Sequence, residues 1–286
     1  MFLLKIFSRI PFTILYWFSD FLFFITYYVI RYRRNITGEN LRRSFPVKSK
    51  NEYNEIERKF YRNLCDYAVE TLKLVSMRNE AIMRRMIFKN PEVVEKYTRE
   101  GKAMIFLTSH QFNWEWLLAG VCINPSFPQL YYVYQQQSSL FFDMFSNMIR
   151  TRFGAGRILR QEVGREAIRK KGTQHVLGLL ADQFPGNGND KRYWTTFLHQ
   201  ETAFFLGINQ LATITQYPVI FFACRKTRRG YYECELIPIS EPPYSTKDLR
   251  VVENYARSTE KIIVEQPEGW LWTHNRWKKT RSEMGD

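Results

Sequence analysis

The sequence predicts an α/β fold: a mostly parallel central sheet flanked by helices, led by a hydrophobic anchor helix. Three observations predict it. Short, nearly all-apolar runs at 103–108 (AMIFLT) and 176–180 (VLGLL) read as strands buried on both faces. Segments with apolar residues at helical spacing separate such runs, and this alternation is the pattern of a parallel sheet with helical crossovers. The first thirty residues carry only Lys5, Arg9 and Asp20 as charges.

The elements follow in order. Residues 11–30 are about as long as a helix that crosses a bilayer core. Asp20 near the middle would cost about 2.5–3.5 kcal/mol there, which the surrounding Phe, Leu and Ile offset. Tyr16, Trp17, Tyr27 and Tyr28 suit a lipid–water interface. No small-residue cleavage site follows, so an uncleaved anchor is expected, either spanning or lying in the interface. The expected organisation is an anchor over 1–30 and a single α/β domain over 31–286. Arg31, Arg33, Arg34, Arg42 and Arg43 follow the anchor, against Lys5 and Arg9 before it, which puts the body of the protein in the cytoplasm.

Tyr53, Ile56, Phe60, Leu64, Tyr67 and Leu74 mark a helix over 51–74. A second helix over 91–100 is closed by Gly101. After the strand at 103–108 come a helix at 113–122, a strand at 130–134 and a helix at 140–152. A basic amphipathic helix over 163–171 ends at Gly172. The strand at 176–180 leads into the loop FPGNGND, and a helix is expected over 203–216. Strands at 218–224 and 231–238 flank the turn Arg228-Arg229-Gly230, and a long helix covers 249–265.

Composition narrows the partners. Of 286 residues, 45% are hydrophobic and 24% charged, which excludes disorder as the main state. The formal charge of +14 predicts an anionic partner. The basic flank beside an apolar helix makes an anionic membrane surface the leading one. The chain lacks a helix-turn-helix or RNA-binding signature, so nucleic acid is not expected. Cys65, Cys122, Cys224 and Cys234 show neither C-x-x-C pairing nor zinc spacing, so reduced thiols and no metal are expected. Walker, dinucleotide and G-x-S-x-G motifs are missing, so no cofactor and no acyl-serine intermediate are expected.

The clearest chemistry lies in 109–115, SHQFNWE, where a buried strand gives way to a helix. On one continuous helix His110 and Glu115 would lie about 140° apart. They meet only if His110 is in the loop and Glu115 in the first helical turns. A carboxylate beside an imidazole fixes its tautomer and leaves the other nitrogen to take a proton from a substrate hydroxyl. A hydrogen-bonded loop histidine, with Glu115 favouring a helix N-terminus, explains the same spacing.

The chain resembles the lipid A late acyltransferase family (the lauroyl/myristoyl acyltransferases, with an H-x4-D/E motif). His110 and Glu115 meet that motif. Asn40, Leu41, Phe45 and Pro46 are similar to the family's N-L-x-x-x-F-P segment. Asp182 and Gln183 match its A/P-D-Q segment. Trp270, Trp272, His274, Arg276, Trp277 and Lys278 match P-x-x-W-x-W-x-H-x-R-W-K. The likeness runs in the same order over nearly the whole chain.

The resemblance implies an acyltransferase that moves an acyl chain from acyl carrier protein to a hydroxyl of a membrane lipid acceptor, a lipid A precursor. The setting it implies is the bacterial inner membrane, with the catalytic part facing the cytoplasm. His110 would be the base and Glu115 its partner. Arg152 is the match for a substrate-binding Arg, with Arg150 and Arg157 as competitors, and Asp182 and Gln183 complete the set. One departure is His199, where the family tends to carry Gly. An acceptor other than lipid A, such as a phospholipid or amino-acid lipid, is the rival within the class. Carrier contacts are expected at Arg165, Arg169, Lys170 and Lys171, and at Arg276, Lys278 and Lys279. His175, inside an apolar run, reads as a core histidine.

Overall fold

The computed structural model describes residues 2–186 and 190–286. The centre of the FPGNGND loop, 187–189, lies outside the described residues. Among the described residues nine strands form two sheets: β1 (Met86–Phe88), β2 (Met104–Thr108), β3 (Leu130–Tyr134), β4 (Gly156–Leu159), β5 (Val176–Leu180), β6 (Arg192–Phe197), β7 (Gln200–Phe205), β8 (Val219–Arg228) and β9 (Tyr231–Ser240). The larger sheet has seven strands in the order β1-β9-β8-β2-β5-β3-β4, and only the β8–β9 pairing is antiparallel. The expected mostly parallel α/β architecture is what the chain adopts.

The strand period of two explains why β2 is apolar throughout. Ile105 and Leu107 face one core with Leu177, Phe221, Tyr255 and Trp270. Met104 and Phe106 face the other with Val176, Phe222, Trp116 and Leu117. The Arg250–Glu265 helix covers the first face and the Trp114–Ile123 helix the second. Helix Lys50–Lys73 starts at a capping box in which Ser49 and Glu52 satisfy each other's backbone N–H. The apolar Phe12–Phe24 helix continues as a π-turn over Ile25–Val29 and packs along it.

Two expectations change. Residues 203–216 do not form one helix: 203–205 end β7, and the helix is Gly207–Thr215. Trp194↔Ala203 and Tyr193↔Phe204 pairing in the β6–β7 hairpin overrides the helical propensity of that stretch. The hairpin turns at Leu198 and His199, both left-handed with φ of 49° and 62°. Each central residue of this two-residue turn has positive φ, where Gly or Asn is the low-strain choice. Buried Leu198 and its N–H bond to Glu260 Oε1 at 2.6 Å hold the turn. The edge strands β1 and β4 were not expected, because three or four residues are too few to show a period.

Candidate active site

Strands β2 and β5 are neighbours, with Thr108 opposite Leu180. Two residues beyond that pair, at the carboxyl ends of both strands, stand His110 and Asp182. Tyr255 from the C-terminal helix bolts the two ends together: its hydroxyl donates to Thr108 O at 2.9 Å and accepts from Ala181 N–H at 3.1 Å. The carboxyl end of a parallel sheet is where α/β folds form ligand crevices.

The carboxylate on the imidazole is Asp182, not Glu115. Asp182 Oδ1 lies 2.7 Å from His110 Nδ1, and Oδ2 accepts the His110 backbone N–H at 2.9 Å. Trp270 Nε1–H donates to the same Oδ2 at 2.8 Å. Burial alone would raise the Asp182 carboxyl, but the His110 ring and backbone bonds and the Trp270 indole hold it down at about 2. An ionised Asp182 makes Nδ1 the protonated ring nitrogen and leaves the Nε2 lone pair available. Gln183 Nε2 approaches His110 Nε2 at 3.4 Å. Trp114 stands edge-on to the imidazole, with ring centroids 5.0 Å apart.

Glu115 is turned the other way. Its two oxygens receive Arg150 Nε–H at 2.9 Å and Nη2–H at 2.6 Å, a bidentate pair in which the Glu115 side chain is 4% exposed. The helix that carries Glu115 starts at Asn113, whose side chain caps it by accepting Trp116 N–H at 3.0 Å. From that first turn Glu115 points at the Leu140–Thr151 helix and not back at the loop. Arg150, rather than Arg152, is therefore the arginine that meets Glu115 in the cavity wall. Arg152 is exposed and braces the end of the Lys50–Lys73 helix through Leu74 O at 2.7 Å. Arg157 lies exposed on edge strand β4.

Glu115 and Arg150 line a cavity whose other walls are almost wholly apolar: Phe106, Leu117, Leu118, Val121, Leu130, Tyr132, Gly178 and Phe222. Trp114 lines both this cavity and a smaller one that holds His110, Tyr67 and Leu271. The histidine and the apolar cavity thus share a wall.

The C-terminal Trp-rich segment locks the histidine loop. Phe112 N–H donates to Gly269 O at 2.8 Å, and Leu271 N–H to His110 O at 3.1 Å. Phe112 has φ of 49°, an unusual conformation for an aromatic residue. Its ring lies so close to Gly269 that a Cβ there would come within 2.5 Å of it. Burial, and then the Arg276 cation, push His274 down to about 4, so its neutral Nε2 accepts Phe184 N–H at 3.1 Å. His175 is a buried histidine between Tyr131 and Tyr217, at the opposite end of β5 from Asp182.

The residues expected to contact a carrier lie in different places. Arg276 is 1% exposed and donates to Ala203 O, so it does not reach a partner protein. Arg169 and Lys170 end the basic helix beside Gln129 and His175, at the amino end of the sheet. That is at least one strand, about 16 Å, from His110. Lys278, over the Phe184 ring at 5.0 Å, and the exposed Lys279 are on the active-site side. Burial pushes Cys65 up to about 11 and Cys122 and Cys224 up to about 12, so these thiols are not thiolate nucleophiles at neutral pH.

Sequence reasoning missed the roles of Trp270 and Tyr255 and the partner of His110. The signal for the last was present in the short spacing from each apolar strand run to His110 and to Asp182. Only the strand order makes those two ends neighbours.

The chain is also similar to known proteins. The chain is 23% identical over 250 residues to lipid A biosynthesis acyltransferase 2 of Shigella flexneri, covering 86% of this chain and 78% of that protein. Residues 1–279 match the family model for bacterial lipid A biosynthesis acyltransferases, so the His110–Asp182 and Glu115–Arg150 pairs stand in a chain that belongs to that family.

Proposed function

We propose that this acyltransferase moves a fatty acyl chain from acyl carrier protein to a hydroxyl of a lipid A precursor, at the cytoplasmic face of the bacterial inner membrane. The observation that carries the reading is the His110–Asp182 pair beside an apolar cavity with one buried ion pair in its wall. The cavity suits an acyl chain: its lining is almost wholly apolar, with the Glu115–Arg150 pair as its charged group.

The steps follow from the residues. The acceptor hydroxyl attacks the thioester carbonyl carbon while His110 Nε2 takes its proton. Asp182 keeps Nδ1 protonated and stabilises the imidazolium that forms. The tetrahedral oxyanion faces the Arg150 guanidinium, which Glu115 holds at two points. Collapse forms the ester, breaks the carbon–sulfur bond and returns the proton from Nε2 to the departing thiolate. In this reading Asp182 takes the role expected of Glu115 and Arg150 that expected of Arg152, while Glu115 positions Arg150 and Arg152 braces a helix. Gln183 orients the Nε2 side. Lys278 and Lys279 are the cations proposed to meet an acidic carrier, where they would raise encounter rates more than turnover.

The test is the lipid profile of a deletion strain, restored with the wild-type gene or with His110→Ala. The reading predicts lipid A short of one acyl chain, restored by wild type and not by the variant. Unchanged lipid A, with a phospholipid or amino-acid lipid altered instead, would move the acceptor to another lipid class.

A further inference from the structure

We infer that residues 2–30 do not cross the bilayer but lie in the plane of one leaflet, with the chain entering and leaving on the same side. This rests on the membrane reading above and sets its geometry.

The Phe12–Phe24 helix and its π-turn are docked on the body of the protein along their whole length. Leu15, Ser19, Phe23 and Tyr27 are buried at a spacing of four residues, a single stripe from one end to the other. The stripe runs antiparallel along the Lys50–Lys73 helix. Lys73 Nζ donates to Ile10 O at 2.7 Å, Tyr16 Oη to Glu70 Oε1 at 2.8 Å, and Ser19 Oγ to Asp66 Oδ1 at 2.8 Å. Further on, Arg62 sits over Phe23 at 5.0 Å and Tyr61 meets Tyr27 at 5.3 Å. Even Ser8, in the preceding Phe2–Arg9 helix, accepts from Ser76 at 2.6 Å.

The tip of the β8–β9 hairpin closes over the middle. Arg229 binds Asp20 Oδ1 at 2.8 Å and Oδ2 at 3.0 Å, and also Asp66 Oδ1 at 2.7 Å. This accounts for an acidic residue in an apolar helix: Asp20, half exposed, is paired with the protein's own arginine.

A helix fixed in this way cannot cross a membrane by itself. Spanning would carry Arg58, Lys59, Arg62 and the Arg228–Arg229 tip into hydrocarbon, at about 2.5–3.5 kcal/mol for each charge at the centre. The outward face is of the opposite character. Ile14, Trp17, Phe18, Phe21, Phe24 and Tyr28 are 46–69% exposed. Exposed cations stand at both ends of the segment, Lys5 and Arg9 before it and Arg31 and Arg33 after it. A helix in the interface has head groups to meet along its whole length, so cations at both ends have anionic partners there. The occupant is therefore the outer 5–10 Å or so of a single anionic leaflet.

The placement has a functional consequence. Phe60, Leu64 and Tyr67 of the Lys50–Lys73 helix line the pocket of His110. The anchor packs against that same helix, so His110 stands about one helix diameter, roughly 10 Å, from the leaflet. A lipid hydroxyl has only that distance to cover.

The test is cysteine labelling of the full-length protein in sealed membrane vesicles of both orientations, with a membrane-impermeant maleimide. Lys5→Cys and Arg31→Cys report the two ends of the segment, Lys247→Cys the body, and the wild type the background of its own thiols. In-plane geometry predicts that all three sites label from the same side. Labelling of Lys5→Cys from the opposite side to the other two would overturn the inference while leaving the membrane reading intact. Recovery of the protein outside the vesicles would overturn both.

Discussion

Asp182 grips His110 at two points, Oδ1 on the ring Nδ1 at 2.7 Å and Oδ2 on the backbone N–H at 2.9 Å. One buried carboxylate thus fixes both the tautomer of the ring and the place of the loop that carries it. Asp182→Asn presents an amide in place of an acceptor and favours the wrong tautomer. Turnover should fall on the order of 10³-fold or more with little change in KM. Glu115→Gln should leave the tautomer untouched. The kcat of Asp182→Asn, with folding verified, checks the assignment, and a near-normal value would refute it.

The Glu115–Arg150 pair makes a separate prediction about stability. Glu115→Gln leaves a buried guanidinium without its counter-charge, at a cost of roughly 3–5 kcal/mol. Replacing both partners, Glu115→Gln with Arg150→Met, removes the orphan charge. Thermal unfolding should show a large loss for the single variant and partial recovery for the double one. Turnover should stay low in both, because the single variant releases Arg150 from the two-point hold of Glu115 and the double variant removes the cation. Recovery of activity along with stability would confine the pair to a structural role.

Gly178 lies in the cavity wall, and a Cβ there would come within 2.9 Å of Leu130 Cδ1. Gly178→Val should fill part of the cavity and shift donor preference towards shorter acyl chains. One methylene in an apolar pocket discriminates by about 10–200-fold, so the ratio of kcat/KM for long and short donors should fall at least tenfold. An unchanged ratio would place the acyl chain elsewhere.

The strand positions around this cavity show what was legible in the sequence. The all-apolar β2 and β5 were readable because both faces of a central parallel strand are buried, and the helix 114–123 followed from its own spacing. The pairing of His110 was not. Glu115 is near in sequence and Asp182 is 72 residues away, but Asp182 is brought in by the insertion of β5 between β2 and β3. The choice among Arg150, Arg152 and Arg157 stayed open for a similar reason, since only the fold shows that Arg150 is on the side of its helix that meets Glu115. The β6–β7 hairpin was hidden because its turn residues, Leu198 and His199, carry no turn signal.

His274 links acid sensitivity to the same segment. Its ring is held down at about 4 against an ordinary value near 6.5, first by burial and then by Arg276. The unfolded chain therefore binds a proton that the folded chain refuses between those two values. Stability should be full above about pH 6.5 and fall as pH drops towards 4, by on the order of 2–3 kcal/mol from this group. His274→Gln should flatten that part of the profile. Denaturant unfolding across pH 4–7 checks it, and an equal slope in wild type and variant would assign the acid sensitivity to other groups.

The central claim is that His110 removes the proton from the attacking hydroxyl. The direct measurement is the single-turnover rate of ester formation by purified His110→Ala, with acyl carrier protein thioester and lipid A precursor in mixed micelles, and with folding verified by thermal unfolding. The account predicts a rate at least about 10²-fold below wild type, with donor and acceptor binding nearly unchanged. A folded variant that forms ester at close to the wild-type rate would contradict it.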